Sequence, residues 1–243
     1  MNFEALKFQS QISEEERFEL STYNLYFFHT STSKNDESYT PVADINLQIN
    51  HKDFAIICGE TDSGKETIFN LLKKKVKPSS GSIFIDNKNI ADISPESYQK
   101  LISFTSVNPY FYNISIFENM YLVCQNKTKI QKTFSEWDLS KEVAKYKDKI
   151  NSVVSTIKNS SLLFFLGLAR SYLSGAKIIC IYELPNTFLS HEKELLKTII
   201  KKIKKECSIL LFSNDSLLTE LADNVYETKN GKIKIKQIQN KNV

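Results

Sequence analysis

The residues with the clearest chemical potential are CGETDSGKET at 58–67, between the apolar run FAII (Phe54–Ile57) and the helical pattern TIFNLLKKK. Gly59, Gly64 and Lys65 keep the spacing G-x-x-x-x-G-K of a loop whose backbone N–H groups and following helix N-terminus cradle phosphate. The candidate nucleotide-binding residues are therefore Gly59, Glu60, Thr61, Asp62, Ser63, Gly64, Lys65, Glu66 and Thr67. One letter departs from the pattern. A hydroxyl should follow the lysine, and Glu66 stands there, with Thr67 one place later. A carboxylate about 4 Å from a phosphate charge costs up to ~4 kcal/mol at an effective dielectric near 20. That cost vanishes if the carboxylate turns outward or ligates a hard cation. A second candidate is Glu183, which follows the buried-strand pattern KIICIY at 177–182.

A phosphate loop works only where a strand delivers it and a helix receives it. Here the strand is expected at 53–58 and the helix at about 65–76. Before them, alternation suggests a strand pair, FELSTYNLYFF and VADINLQI, split by the polar insert TSTSKNDESYTP. After them come a hairpin turning at Asp86–Asn87, a helix opened by Ser94, and a strand at 102–107. Residues 115–172 read as mostly helical. The strand–helix alternation then returns with 177–182, a helix at 189–205, a strand at 208–213, and a closing hairpin at Asn230–Gly231. This order predicts an α/β fold with a phosphate loop after an early strand.

Composition narrows the function classes. The 243 residues are 41% apolar and 25% charged, a globular balance with a mild net charge of +4. Arg17 and Arg170 are the only arginines, and the lysine runs fall at the ends of helical patterns, where cations complement the helix dipole. No nucleic-acid partner is therefore expected. The four cysteines are widely spaced, with no metal or disulfide pattern, so no metal-ligand set is assigned and a reducing compartment is expected. The longest apolar stretch, LLFFLGLA at 162–169, is well short of the ~20 residues of a spanning helix, and no signal peptide opens the chain.

Over about residues 18–238 the chain resembles the nucleotide-binding domain of ATP-binding-cassette (ABC) transporters of the exporter type. The likeness is carried by the loop, by SGSIFIDNKNIADISPESYQKLISFTSVNPYFYNISIFENM at 80–120, by GLAR at 167–170, by KIICIYE, and by ADNVYETKNGKI at 222–233. It implies a P-loop NTPase fold of ABC type: a mixed sheet core, an antiparallel β subdomain and an inserted helical subdomain at about 115–172. Residues 1–17 would be a tail or linker and 18–243 the domain. It also implies ATP as ligand, with Phe27 the nearest match to the aromatic that stacks on adenine.

The departures from that family fall on its chemistry. Glu66 replaces the hydroxyl that ligates Mg²⁺, and Val107 stands at the glutamine of the Q-loop. The signature LSGGQ falls on Lys158, Asn159, Ser160, Ser161 and Leu162, and Asn214 matches the switch histidine. Counted from the strand, Tyr182 replaces the metal-holding Asp and Glu183 matches the catalytic glutamate. Counted back from PNTFLS, Glu183 replaces the Asp and Leu184 the glutamate. One acidic group remains where two are needed, which weakens the case for Mg²⁺.

Phosphoryl transfer to water rests on positioning and charge stabilisation, so several such losses argue against turnover. The expectation is an ABC domain that binds ATP as a structural or regulatory ligand. Its expected partners are a membrane-spanning permease subunit or domain and another ABC domain, as a homodimer or heterodimer. Its expected place is cytoplasmic, peripheral at the inner face of the membrane. A slow but genuine ATPase and a nucleotide-free scaffold remain open alternatives. The apolar 162–169 segment is expected to face the core, the alternative being a partner surface.

Overall fold

The computed structural model describes residues 25–32 and 40–238. The expected tail at 1–17, the start of the expected first strand from Phe18 and most of the polar insert lie outside the described residues. The described strands are β1 (Leu25–Ser31), β2 (Ile45–Ile49), β3 (Phe54–Gly59), β4 (Ser80–Ile85), β5 (Lys88–Asn89), β6 (Ile102–Ser106), β7 (Ile178–Tyr182), β8 (Ser208–Phe212), β9 (Asn224–Lys229) and β10 (Lys232–Ile238). They form a four-stranded antiparallel sheet, β2-β1-β4-β5, and a six-stranded sheet, β10-β9-β3-β8-β7-β6. In the larger sheet only β10 runs antiparallel to its neighbour. The α/β expectation, with its mixed sheet and its separate antiparallel sheet, is met.

The central strands of the larger sheet, β3, β7 and β8, are buried on both faces, which is why they read as continuous apolar runs rather than as alternation. Period two sorts them. Phe54, Ile56, Ile179, Ile181, Ile209 and Leu211 enter one core, while Ala55, Ile57, Ile178, Cys180, Leu210 and Phe212 enter the other. The second core is closed by helix α1 (Lys65–Leu72) and by the inward side of the antiparallel sheet, including Phe27, Ile45 and Ile83. Helix α1 stops short of the expected residue 76, and Lys74 is in the left-handed region (φ 56°) just beyond its end.

Helix α2 (Pro95–Leu101) opens as the sequence suggests, with Ser94 Oγ accepting from the Ser97 amide and Pro95 in the first turn. The first core is covered by α3 (Ile116–Tyr121), α4 (Lys127–Glu136), α5 (Leu139–Val143), α6 (Ser160–Leu173) and α7 (Ser190–Ile203). Ser115 and Glu118 form a reciprocal capping box at the start of α3. The Ser115 hydroxyl and amide hold the Glu118 carboxyl below its usual range. Asn159 Oδ1 caps α6 by accepting from the Leu162 amide at 2.8 Å. Leu162, Phe164, Phe165, Leu166 and Leu168 are all buried, so the apolar start of α6 faces the core.

Asp223 ties the two ends of this architecture together. Its Oδ2 accepts from the Phe54 amide (2.8 Å) and from Lys204 Nζ (2.6 Å), and its amide donates to the Phe54 carbonyl (2.8 Å). Removing the carboxylate strands a buried amide at the start of β3 and leaves Lys204 without its ion pair. Asp223→Ala is expected to cost about 2–3 kcal/mol, read as a lower urea midpoint with an unchanged slope.

Candidate functional site

Strand β3 ends at Gly59, whose amide donates to Asn214 Oδ1 at 2.8 Å. The chain then turns, with the Ser63 amide bonded to the Glu60 carbonyl (3.2 Å) and Asp62 in the left-handed region (φ 60°). Asp tolerates that conformation better than most residues. Gly64 is not replaceable by such a residue. It has φ 97°, and a Cβ there would meet Val42 Cγ1 at 2.8 Å. Behind the loop the Asn230–Gly231 turn donates its Gly231 amide to the Ser63 carbonyl (3.0 Å), and the Ser63 and Thr228 hydroxyls are 2.7 Å apart. The loop is thus braced by β9, the closing hairpin and residue 42.

Helix α1 begins directly at Lys65, and no side chain caps it. First-turn amides without intrahelical partners, together with the helix dipole, favour an anion there. The cleft in front of them is about 120 Å³ and is lined by Thr40, Glu60, Thr61, Asp62, Gly64, Lys65, Glu66, Thr67, Tyr182 and Glu183. That is below the ~300–1,000 Å³ of an enclosing small-molecule site, so it suits phosphate groups rather than a whole nucleotide. A larger hollow of about 380 Å³, lined by residues of the Asn87–Ser97 stretch, lies beside the β4–β5 hairpin. It lacks the loop and its lysine, so the smaller cleft is the candidate site.

Within the cleft Lys65 Nζ donates to Glu183 Oε1 at 2.8 Å. The lysine side chain is 8% exposed and the glutamate 38%. Glu183 has φ 61°, an uncommon conformation for a residue with a Cβ. Leu184, next along, is 5% exposed and belongs to the first core, so it offers nothing to the cleft. The Tyr182 ring packs on Phe69 and Phe212. Burial, aided by the Glu66 and Glu183 carboxylates, pushes its phenol up to about 12. The Thr67 hydroxyl donates to the Thr40 carbonyl at 2.6 Å, and Glu66 is exposed.

A strand-delivered phosphate loop with its lysine on the receiving helix fits what sequence comparison finds. The family model described as ABC transporter matches residues 42–181, more than half of the chain. The chain belongs to the ABC transporter family. Its relatives include a protein of Mycoplasma genitalium named as the ABC transporter ATP-binding protein MG015, 25% identical over 86% of this chain. The multidrug resistance-like ATP-binding protein MdlB of Buchnera aphidicola is 24% identical over 88% of it, and an ABC transporter ATP-binding/permease protein of Haemophilus influenzae is 24% identical over 79%. The matched regions make up 36%, 37% and 36% of those three proteins, so this ABC domain spans about a third of their length.

The expected site residues separate into two groups. Seven of the nine loop residues line the cleft, all but Gly59 and Ser63, and Glu183 and Tyr182 join them from the end of β7. Phe27 does not. Its side chain is 3% exposed and packs in the second core, away from the residues that line the cleft. The signature positions are also occupied within this chain: Asn159 caps α6, the Ser160 hydroxyl meets that of Thr187 (3.3 Å), and the Ser161 hydroxyl donates to Glu192 Oε2 (3.1 Å). Val107 uses its amide to donate to the Tyr182 carbonyl. Two contributors were not visible in the sequence. Thr40 acts through its carbonyl, which has no residue signature, and Gly231 reaches the loop only through tertiary packing.

Tyr226, whose hydroxyl donates to the Gln48 carbonyl at 2.8 Å, is likewise pushed up to about 12, chiefly by burial. Both phenols start from an ordinary value of 10.0. Their protonated forms therefore favour the fold fully below pH ~10, and that contribution is lost between about pH 10 and pH 12. Tyr182→Phe is expected to make the loss of stability across that window shallower than in the wild type, measured by urea denaturation at stepped pH.

Proposed function

We propose that this chain is an ABC-type nucleotide-binding domain that holds ATP as a structural or regulatory ligand and docks on the membrane domains of a transporter, with hydrolysis impaired. The observation that carries this reading is the division of labour in the cleft. Groups that attract phosphate are present: Lys65, the loop amides and the uncapped start of α1. Groups that would hold a metal and orient water are replaced. Glu66 stands where a hydroxyl would follow the lysine, Tyr182 is a neutral phenol, and Leu184, next to Glu183, is buried.

ATP would be held by Lys65 and the amides of residues 60–67, and Mg²⁺ would contribute less than is usual for such a site. When bound, the nucleotide supplies the polyphosphate charge that the loop is built to meet. In the slow-ATPase alternative the catalytic assignment stays with Glu183, and Glu66 would stand beside it around Mg²⁺. The exposed Glu66 carboxylate is screened by solvent, which reduces its penalty against phosphate.

Docking is supported by an exposed apolar surface around α3, including Tyr110, Tyr112, Tyr121 and Leu122. The buried Asn119 shapes it: its side-chain amide donates to the carbonyls of Tyr112, Ile114 and Ser115, and its oxygen accepts from the Tyr112 amide. The Haemophilus relative, whose name joins ATP-binding and permease, supports a permease subunit or domain as the partner. No helix among the described residues is long and apolar enough to cross a membrane. A cytoplasmic position at the inner face of the membrane, paired with a second ABC domain, completes the reading.

Titration calorimetry with millimolar ATP, with and without Mg²⁺, is expected to give binding that weakens by tenfold or more in Lys65→Ala, about the worth of a charge-assisted hydrogen bond. Steady-state phosphate release is expected at background. Turnover abolished by Glu183→Gln would replace this reading with a genuine ATPase, and the absence of ATP heat in both buffers would leave the scaffold alternative.

A further inference from the structure

We propose that Glu183 is a built-in competitor for the phosphate site, its carboxylate occupying Lys65 until a polyphosphate displaces it. This rests on the nucleotide-binding reading above and adds how entry to that site is controlled.

The geometry distinguishes the two partners. Lys65 is 8% exposed and anchored in the first turn of α1, whereas Glu183 is 38% exposed, so the carboxylate is the member free to swing into water. The backbone points the same way. The Glu183 amide continues the β7–β8 ladder by donating to the Phe212 carbonyl (2.9 Å), and the chain then turns at φ 61°. Such a conformation is costly for a residue with a long side chain and persists where surrounding interactions compensate for it. Here the compensating interaction is the 2.8 Å contact with Lys65.

Charge supplies the third argument. The residues lining the cleft include Glu60, Asp62, Glu66 and Glu183, and Lys65 is the lone cation among them. A buried ammonium without a counter-charge is unfavourable, so Glu183 satisfies Lys65 while no anion is bound. A polyphosphate offers Lys65 the same satisfaction plus the helix N-terminus. Both anions need the same nitrogen, so the measured affinity is reduced in proportion to the time that Lys65 spends paired with Glu183. Release of the carboxylate to solvent costs little, because it is already partly hydrated.

The test is calorimetric titration of inorganic tripolyphosphate and of ATP, in EDTA, into the wild type, Glu183→Gln and Glu66→Gln, with thermal melts to verify folding. Tripolyphosphate isolates the phosphate cleft from any contribution of the base. Glu66→Gln removes the same charge from the same cleft without touching the ion pair. Glu183→Gln is expected to bind both ligands about tenfold tighter, the worth of a charged hydrogen bond discounted for exposure. Glu66→Gln is expected to gain only about twofold from relieved repulsion.

Equal gains in the two variants would reduce the effect to net charge and overturn the proposal. Unchanged or weaker binding by Glu183→Gln beside a binding wild type would overturn it while leaving the nucleotide-binding reading intact. Silence from all three proteins with both ligands would sink that reading and the proposal together. A silent wild type beside a binding Glu183→Gln would support the competition while overturning the reading that the unaltered chain holds ATP.

Discussion

The six-stranded sheet can exist only if both its faces are covered. Its parallel strands alternate apolar side chains into two cores, and leaving either face to water would expose several fully buried Ile, Leu and Phe residues at about 1.5–3 kcal/mol each. That requirement places α1 and the antiparallel sheet on one side and the helical lobe on the other. It also decides where chemistry can occur. With both faces filled, ligands are left the strand ends, and the C-terminal ends of β3 and β7 deliver the phosphate loop and Glu183 to the same cleft.

The bracing of the loop follows from the same packing. Gly64 must approach Val42 and the Gly231 turn closely because the antiparallel sheet and the closing hairpin converge behind it. A loop held this way keeps its amides aimed outward whether or not an anion is present. Pre-organisation of that kind reduces the ordering cost of binding. The segment that includes Thr40 also takes the proton of the Thr67 hydroxyl, so the brace that fixes the loop orients one of its polar groups at the edge of the cleft.

Much of this was legible in the sequence because local chemistry specifies it. The Asn230–Gly231 turn has both residues at positive φ (49° and 72°), as a two-residue hairpin demands. Ser94 caps α2, and the apolar run of α6 is core because its whole length is apolar at helical spacing. The site was only partly legible. Phe27 matches an aromatic place in the family, but strand alternation turns its ring into the second core beside Ile45 and Ile83, and one sequence cannot say which face a half-buried strand gives to water. Nor could the register after β7 be read. Two counts disagreed by one residue, and the contact of Glu183 with a lysine 118 positions away is purely tertiary.

That contact also accounts for how the altered residues coexist. A lysine as enclosed as Lys65 needs a counter-charge. Tyr182 cannot supply one, because its ring sits among Phe69 and Phe212 and its phenol stays neutral until strongly alkaline pH. The next residue supplies it instead, and it does so by entering the left-handed region, since a continued extended strand would send successive side chains to opposite faces. The aromatic at 182 and the strained acid at 183 are therefore coupled. Keeping the loop lysine buried beside a neutral Tyr182 requires Glu183 to bend back to it, and this ion pair is what joins the end of β7 to the phosphate loop.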